Sequence, residues 1–190
     1  MVITVKSQAI FKNRSRLLTT TIEYYFGTVM KKLSLRLVSA NETHELARYV
    51  QDYYRYDNLI YNVTVEEAIL ILVTDRSLGR AWFIEVDDKM GGYAMLTFGF
   101  DIEAGGKLGV ITDFFLAEEN RDQGFGKQIL KLIEDESRAL GCRALELFVT
   151  NKNARAKKLY SNFGFESLDD RSSMLKVLTD NVNDCLKAEE

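Results

Sequence analysis

The stretch Arg121-Asp122-Gln123-Gly124-Phe125-Gly126-Lys127 decides how this chain is read, because it sets two glycines and a basic rim between a strand-like run and a helix-like run. Upstream, Gly109-Val110-Ile111-Thr112-Asp113-Phe114-Phe115-Leu116 is rich in the β-branched and aromatic residues that suit a pleated, half-buried surface. Downstream, Ile129, Leu132, Ile133 and Leu140 recur at helical spacing, and Gly141 follows as a C-terminal cap. The turn therefore opens a helix. Glycine lets a ligand come close to the backbone and reaches positive φ, while the unpaired amides and positive dipole end of the helix favour an anion. A diphosphate fits such a mouth.

Spacing separates the phosphate motifs that compete for this turn. A P-loop requires Gly five residues before its last Gly and Ser or Thr after the Lys, where this chain has Arg121 and Gln128. A dinucleotide fingerprint requires a third glycine where Ile129 stands. What remains is [Arg/Gln]-x-x-Gly-x-[Gly/Ala], filled by Arg121, Gly124 and Gly126. Farther along comes Asn153-Ala154-Arg155-Ala156-Lys157-Lys158-Leu159-Tyr160-Ser161-Asn162-Phe163-Gly164-Phe165. In this order the two blocks resemble the GNAT superfamily of N-acetyltransferases. Its members bind the diphosphate of acetyl-coenzyme A with the first block and carry a tyrosine beside the thioester in the second. The resemblance covers roughly residues 33–178. Many relatives have Pro shortly before the turn, where this chain, which lacks proline altogether, has Glu118.

The other elements can be laid out around the turn. Leu35, Leu37 and Val38 predict a first strand, after which Asn41 caps a helix whose Leu46, Tyr49, Val50 and Tyr53 share one face. Thr64-Val65-Glu66-Glu67 reads as a capping box opening a second short helix through Ile71 and Leu72. Residues 81–86 and 92–100 flank Asp87-Asp88-Lys89 as a hairpin, and Gly105-Gly106 reverses the chain into the strand through Val110. Beyond the helix at the turn come a strand over 144–149, a helix over 153–162, and strands near 165–168 and 174–178. The order β-αα-βββ-α-β-α-ββ implies an α/β (α+β) fold with a mixed, mostly antiparallel central sheet and helices on both faces. The acyl-CoA N-acyltransferase fold of the resembled family has that order.

Residues 30–180 read as the N-acetyltransferase domain, 181–190 as an acidic C-terminal tail, and 1–29 as an N-terminal extension outside the core. The extension carries Lys6, Lys12, Arg14 and Arg16 against one acid, Glu23, which approaches a presequence composition. A mis-set start ahead of Met30 accounts for it better, and the extension is expected to be dispensable for folding. The 190 residues, 46% of them hydrophobic and 28% charged, suit one α/β core and leave little for a second. A net charge of -3 argues against a bulk nucleic-acid binder, and no apolar run approaches the roughly 18 residues of a membrane span. Cys142, Cys185 and the lone His44 lack metal-ligand spacing. The expectation is a cytoplasmic protein with no metal and no nucleic-acid or membrane partner.

The resemblance implies that an amine attacks the thioester of acetyl-coenzyme A, the co-substrate. Positioning the two reactants supplies on the order of 7–11 kcal/mol of the barrier. Tyr160 falls on the family's tyrosine and is the implied general acid beside the coenzyme: a phenol near pKa ~10 keeps its proton at neutral pH, and a free thiol titrates near ~8.5. Spacing alone favours an apolar stripe of Leu159, Tyr160 and Phe163, and it is the resemblance that gives Tyr160 a role. Asp113 sits in an apolar strand, where a charge is expensive unless used or paired. It serves as base or cation anchor, or else forms a structural ion pair. Phe115 and Leu116 are implied to offer their backbone to the pantetheine arm like an added strand, beside a bulge that splays the sheet. Gln123, Gly124, Phe125, Gly126 and Lys127 are the implied diphosphate contacts through main-chain amides, with Arg121 and Lys127 adding charge. The resemblance implies that Asn153 both caps its helix and lies near the pantetheine, while its place at the helix start is accounted for by capping alone.

Between the first two helices Tyr53, Tyr54, Arg55, Tyr56, Asp57, Asn58 and Tyr61 crowd together. Tyr54 and Tyr56, with Asp113, are the candidates to hold a cationic amine by cation-π contact. Core packing or a homodimer surface explains the same tyrosines. The implied activity is direct acetyl transfer in a ternary complex to a small-molecule or protein amine; the other reading is a non-catalytic acyl-CoA-binding sensor of the same fold.

Overall fold

The structure is a computed structural model that describes residues 19–26, 29–56, 64–168, 173, 174 and 176. Among the described residues one sheet holds six strands in sequence order: β1 (Thr19–Phe26), β2 (Val29–Leu37), β3 (Gly79–Val86), β4 (Lys89–Asp101), β5 (Gly106–Leu116) and β6 (Ala144–Leu147). Every neighbouring pair is antiparallel except β5 and β6, which are parallel. The helices are α1 (Thr43–Tyr56), α2 (Thr64–Thr74), α3 (Phe125–Ala139) and α4 (Ala154–Phe163). Among the described residues no helix is long and apolar enough to cross a membrane.

Alternation along the central strands builds two apolar layers. Trp82, Ile84 and Val86 of β3, with Ala94 and Leu96 of β4, pack against Phe125, Ile129, Leu132 and Ile133 of α3. The intervening Ala81, Phe83, Tyr93 and Met95 pack against Leu46, Ala47 and Val50 of α1 and Ile69 of α2. Each large side chain buried this way contributes roughly 1.5–3 kcal/mol. The sheet is therefore covered on both faces, as the sequence pattern implies.

The local signals hold with adjustments. Asp87 and Asp88 have φ of 53° and 61°, so a two-residue turn closes the β3–β4 hairpin and Lys89 already pairs with Val86. Ser39 rather than Asn41 heads the segment entering α1. A short 3-10 turn (Ala40–Glu42) comes first, and the Glu42 carboxylate accepts the Ser39 N–H at 3.0 Å. That carboxylate also accepts Arg36 Nη1 at 2.7 Å, while Arg36 Nε donates to Glu85 at 2.7 Å and its guanidinium lies over Phe83. The network ties the start of α1 to β2 and β3.

Two expectations are overturned. Residues 19–26 do not lie outside the core: β1 pairs with β2 along its whole length, and Ile22 is 6% exposed within the α3-side layer. Thr-Thr-Thr-Ile-Glu-Tyr-Tyr-Phe is a strand by its β-branched and aromatic content, and the basic, Ser/Thr-rich flank obscures it. Residues 1–18 lie outside the described residues. The strand expected over 165–168 does not form either. Gly164, at φ 107°, closes α4: its amide donates to Ser161 O at 3.1 Å, and the Phe165 amide donates to Tyr160 O at 3.0 Å. The Phe165 amide is thus spent on the helix end, and its ring packs on Tyr160 and Phe163. Met174 and Lys176 are described without strand structure, and the rest of the last expected strand lies outside the described residues. The strand expected over 144–149 ends at Leu147.

If β1 belongs to the core, Ile22→Ala lowers unfolding free energy by about 2–4 kcal/mol in a denaturant titration, whereas Glu23→Ala, on the exposed side, changes it by less than about 0.5 kcal/mol. Equal, small effects would contradict the placement.

Candidate active site

A single extra residue in β5 creates the site. Leu96 pairs with Ile111, but the next residue back, Met95, pairs with Asp113, so Thr112 is left over as a bulge. Because faces alternate, the extra residue exchanges them. Ile111 points with Leu96 into the α3-side layer, whereas Phe115 beyond the bulge packs with Tyr93 on the α1 side and Phe114 and Leu116 on the α3 side. Asp113, two residues before Phe115, is thereby carried to the α1 side.

The bulge also marks where the sheet opens. β6 follows β5 only from Leu108–Ala144 to Ile111–Leu147, while β4 stays paired as far as Leu116–Gly92. Among the described residues, the β6-side edge of residues 112–116 has no strand partner. A cleft of about 490 Å³ lies there, walled by residues 111–116, the 120–127 turn, residues 147–150 and α4. The bulge expected beside Phe115 and Leu116 lies at Thr112.

At one end of the cleft α3 begins with Gly124 at φ 78°, with no side chain capping its first amides and no acid in its first turn. Lys127 sits in that turn, where a positive charge opposes the helix dipole by about 0.3–1 kcal/mol unless an anion answers it. Gly126 has a packing role as well, since a Cβ there would lie 3.1 Å from Leu159 of α4. Asp122, at φ 59°, pairs with Arg155 at 2.9 Å across the turn and α4. Both partners are exposed, so the bridge contributes about 0–1 kcal/mol.

The residues proposed from sequence fall unequally on this geometry. Asp113, Phe115, Leu116, Arg121, Gly124, Gly126, Lys127, Asn153 and Tyr160 all line the cleft. Arg121 is more than a charged rim: its Nε donates to Leu116 O at 2.7 Å, and its guanidinium lies 5.2 Å from the Phe115 ring centre. Gln123 turns its amide to Glu119 O at 2.6 Å, and the Phe125 side chain is buried in the α3-side layer, so only their main chain can serve a ligand. Asn153 caps α4 by accepting the Ala156 N–H at 3.0 Å. Tyr54 packs edge-on against Tyr53 at 5.8 Å and is not a cleft wall, whereas Tyr53 is one, 5.3 Å from Phe115. The Tyr56 side chain and residues 57–63 lie outside the described residues. Sequence reasoning gave no role to Arg155 and Lys158, which line the cleft from α4. Their i, i+3 spacing on a helix already sets them on one side.

The two titrating groups stand in opposite situations. Asp113 forms no ion pair among the described residues, which leaves the structural-pair reading without support. Burial pushes its carboxyl up to about 6, against a lowering by the Thr112 and Tyr93 hydroxyls. Tyr93 is fully buried, and its hydroxyl has no hydrogen-bond partner of normal geometry among the described residues, although it is close enough to feel the Asp113 charge. Burial pushes the Tyr160 phenol to about 12, with its ring edge-on to Phe165 at 5.9 Å.

A carboxyl held near 6 in the fold and ~3.9 in the unfolded chain favours folding at low pH and loses that advantage as pH rises through about 6. Asp113→Asn removes this loss. Relative to the parent protein, the variant should gain about 3 kcal/mol of stability between about pH 4 and pH 7.5. Parallel stability profiles for the two proteins would contradict the burial of the charge.

The acetyltransferase (GNAT) family matches residues 43–165. An uncharacterized N-acetyltransferase, YycN, of Bacillus subtilis (strain 168) is 41% identical over 59 residues, 31% of this chain and 38% of the relative. A thialysine N-epsilon-acetyltransferase of Bos taurus is 31% identical over 77 residues, 40% of this chain and 45% of the relative. The chain thus spans less than half the length of the curated relatives it matches. A predicted acetyltransferase of Clostridium acetobutylicum, solved with acetyl-CoA, superposes with a TM-score of 0.62 at 14% identity, over 75% of this chain and 96% of that one, which shows the shared fold. With a family match over most of its length and the acyl-CoA N-acyltransferase fold around the cleft, the chain belongs to the acetyltransferase (GNAT) family.

Proposed function

We propose that the chain is an N-acetyltransferase that moves the acetyl group of acetyl-coenzyme A directly to a primary amine, of a small molecule or a protein, with both substrates bound together. One observation carries this reading: a single cleft runs from the uncapped amides of α3, along the unpartnered edge of residues 112–116, to Asp113 and Tyr160.

The residues fit the coenzyme. Gly124 and Gly126 keep side chains away from the helix mouth, whose amides, together with Lys127, suit a diphosphate. The edge beyond the bulge offers backbone groups to an arm that carries amides of its own. Acetyl-coenzyme A supplies the acyl carbon and the thiolate that departs.

Asp113 acts on the amine. With a value near 6 it is mostly ionised at neutral pH, and the aromatic rings of Tyr53, Phe115 and Tyr93 around it favour a cation over bulk solvent. A free alkylammonium near ~10.4 is too weak an acid to surrender its proton to such a group in the ground state. Asp113 therefore anchors the ammonium; one proton is lost to solvent before attack, the neutral amine bonds to the thioester carbon, and Asp113 takes the next proton, through water or directly, from the cationic nitrogen of the tetrahedral adduct. Tyr160 acts at the other end. Handing a proton from a phenol near 12 to a thiolate near ~8.5 is uphill by roughly 5 kcal/mol. The phenol is consequently a hydrogen-bond donor toward departing sulfur, and it keeps its proton across the physiological range.

Thiol release from acetyl-coenzyme A over a panel of small amines and peptides tests the reading. With an accepted amine, kcat/KM falls as pH drops below about 6, and Asp113→Asn loses about 100-fold together with that acid limb. Tyr160→Phe lowers kcat about 10- to 100-fold with KM for acetyl-coenzyme A within about twofold. Coenzyme binding without acetylation of any amine would convert the site into a sensor. No binding at all would end the proposal.

A further inference from the structure

Strand β1 lies ahead of the segment matched by the family, yet it runs along the helix whose mouth forms one end of the cleft. Its alternate residues Thr20, Ile22 and Tyr24 face α3. The Thr20 hydroxyl donates to the Glu136 carboxylate in the last turns of α3, Ile22 enters the layer between helix and sheet, and Tyr24 meets the helix start. The lengths agree: Glu136 to Phe125 is about 16 Å of helix, and Thr20 to Tyr24 is about 13 Å of strand. One strand thus spans the helix and brings a phenol to its N-terminal end.

The phenol ends in a particular place. Its ring is edge-on to Phe125, with centres 6.1 Å apart and planes at 85°. Its hydroxyl occupies the space where residue 124 would carry a side chain, since a Cβ built on Gly124 would lie 2.8 Å from it. Gly124 is at φ 78°, and no side chain caps the turn, so its own chemistry does little to hold the conformation. A glycine so placed samples both signs of φ unless a neighbour removes the alternatives. Holding the amides of 124–127 ready removes an ordering cost that a diphosphate would otherwise meet on binding.

We propose that Tyr24 is a positioning residue of the coenzyme site, its hydroxyl seated behind Gly124 so that the turn stays in the left-handed conformation that presents the α3 amides to the diphosphate. The inference rests on the coenzyme reading above. It adds a residue from a strand outside the matched segment, and a role specific to the anionic end of the ligand.

The test uses Tyr24→Phe, which deletes only the atom behind Gly124 and keeps the ring on Phe125, and Tyr24→Leu, which also removes the ring. Both are made in the full chain. Acetyl-coenzyme A is compared with acetyl-pantetheine, which has the same thioester arm and no diphosphate. The phenylalanine variant should melt within about 2 °C of the parent and bind acetyl-coenzyme A about fivefold more weakly, and the leucine variant about tenfold. The kcat/KM with acetyl-pantetheine should change less than about twofold in both. Unchanged coenzyme affinity in both variants overturns the proposal alone, as does an equal loss with the two donors, which would mark Tyr24 as a packing residue only. A parent protein that binds neither donor overturns the coenzyme reading and this inference together.

Discussion

One extra residue in β5 governs the architecture of the site. Were Thr112 absorbed into regular pairing, Asp113 would follow Ile111 into the α3-side layer. β6 parts from β5 at the same point, after Leu147. The bulge carries the carboxylate to the aromatic wall of Tyr53, Tyr93 and Phe115, and the strand edge that leads to that wall begins beside it. The cost is local: a half-buried acid with its value raised and a buried phenol without a normal partner among the described residues. A group that weakens the fold and lines a cleft, as Asp113 does, is where such a cost is expected to serve function.

The opposite end of the cleft follows different physics. There the chain withholds side chains instead of supplying them, with glycines at 124 and 126 and no acidic cap on α3. The first-turn amides and Lys127 make a positive mouth that lacks a counter-charge of its own, apart from Asp122, which Arg155 holds. Glycine 126 serves two demands, because the approach of Leu159 that it permits also fixes α4, and with it Tyr160, against α3. The open helix mouth and the packing of α4 are therefore one constraint at that position.

Much of this was legible in the chain. Period-two alternation and turn residues located β3, β4, β5 and their hairpins, 3.6-residue spacing with Gly141 located α3, and the second motif block located α4. The two motif blocks brought Arg121, Gly124, Gly126, Asn153 and Tyr160 to one cleft. What escaped depends on pairing rather than composition. Nothing in Ile111-Thr112-Asp113 announces a bulge, because an extra residue is visible only against the register of β4. β1 escaped because its strand-like octet is embedded in a basic, polar segment. The end of α4 was misjudged for a like reason, since Phe165 can either continue into a strand or close the helix, and Gly164 directs it to the second.

Hydrogen exchange on the full chain with and without acetyl-coenzyme A tests the central claim, that one ligand occupies both the edge beside the bulge and the mouth of α3. The account predicts slowed exchange at the amides of residues 112–116 and of 124–127 together, with β4 amides opposite the bulge unchanged. Protection of neither segment, or of only one, would contradict it.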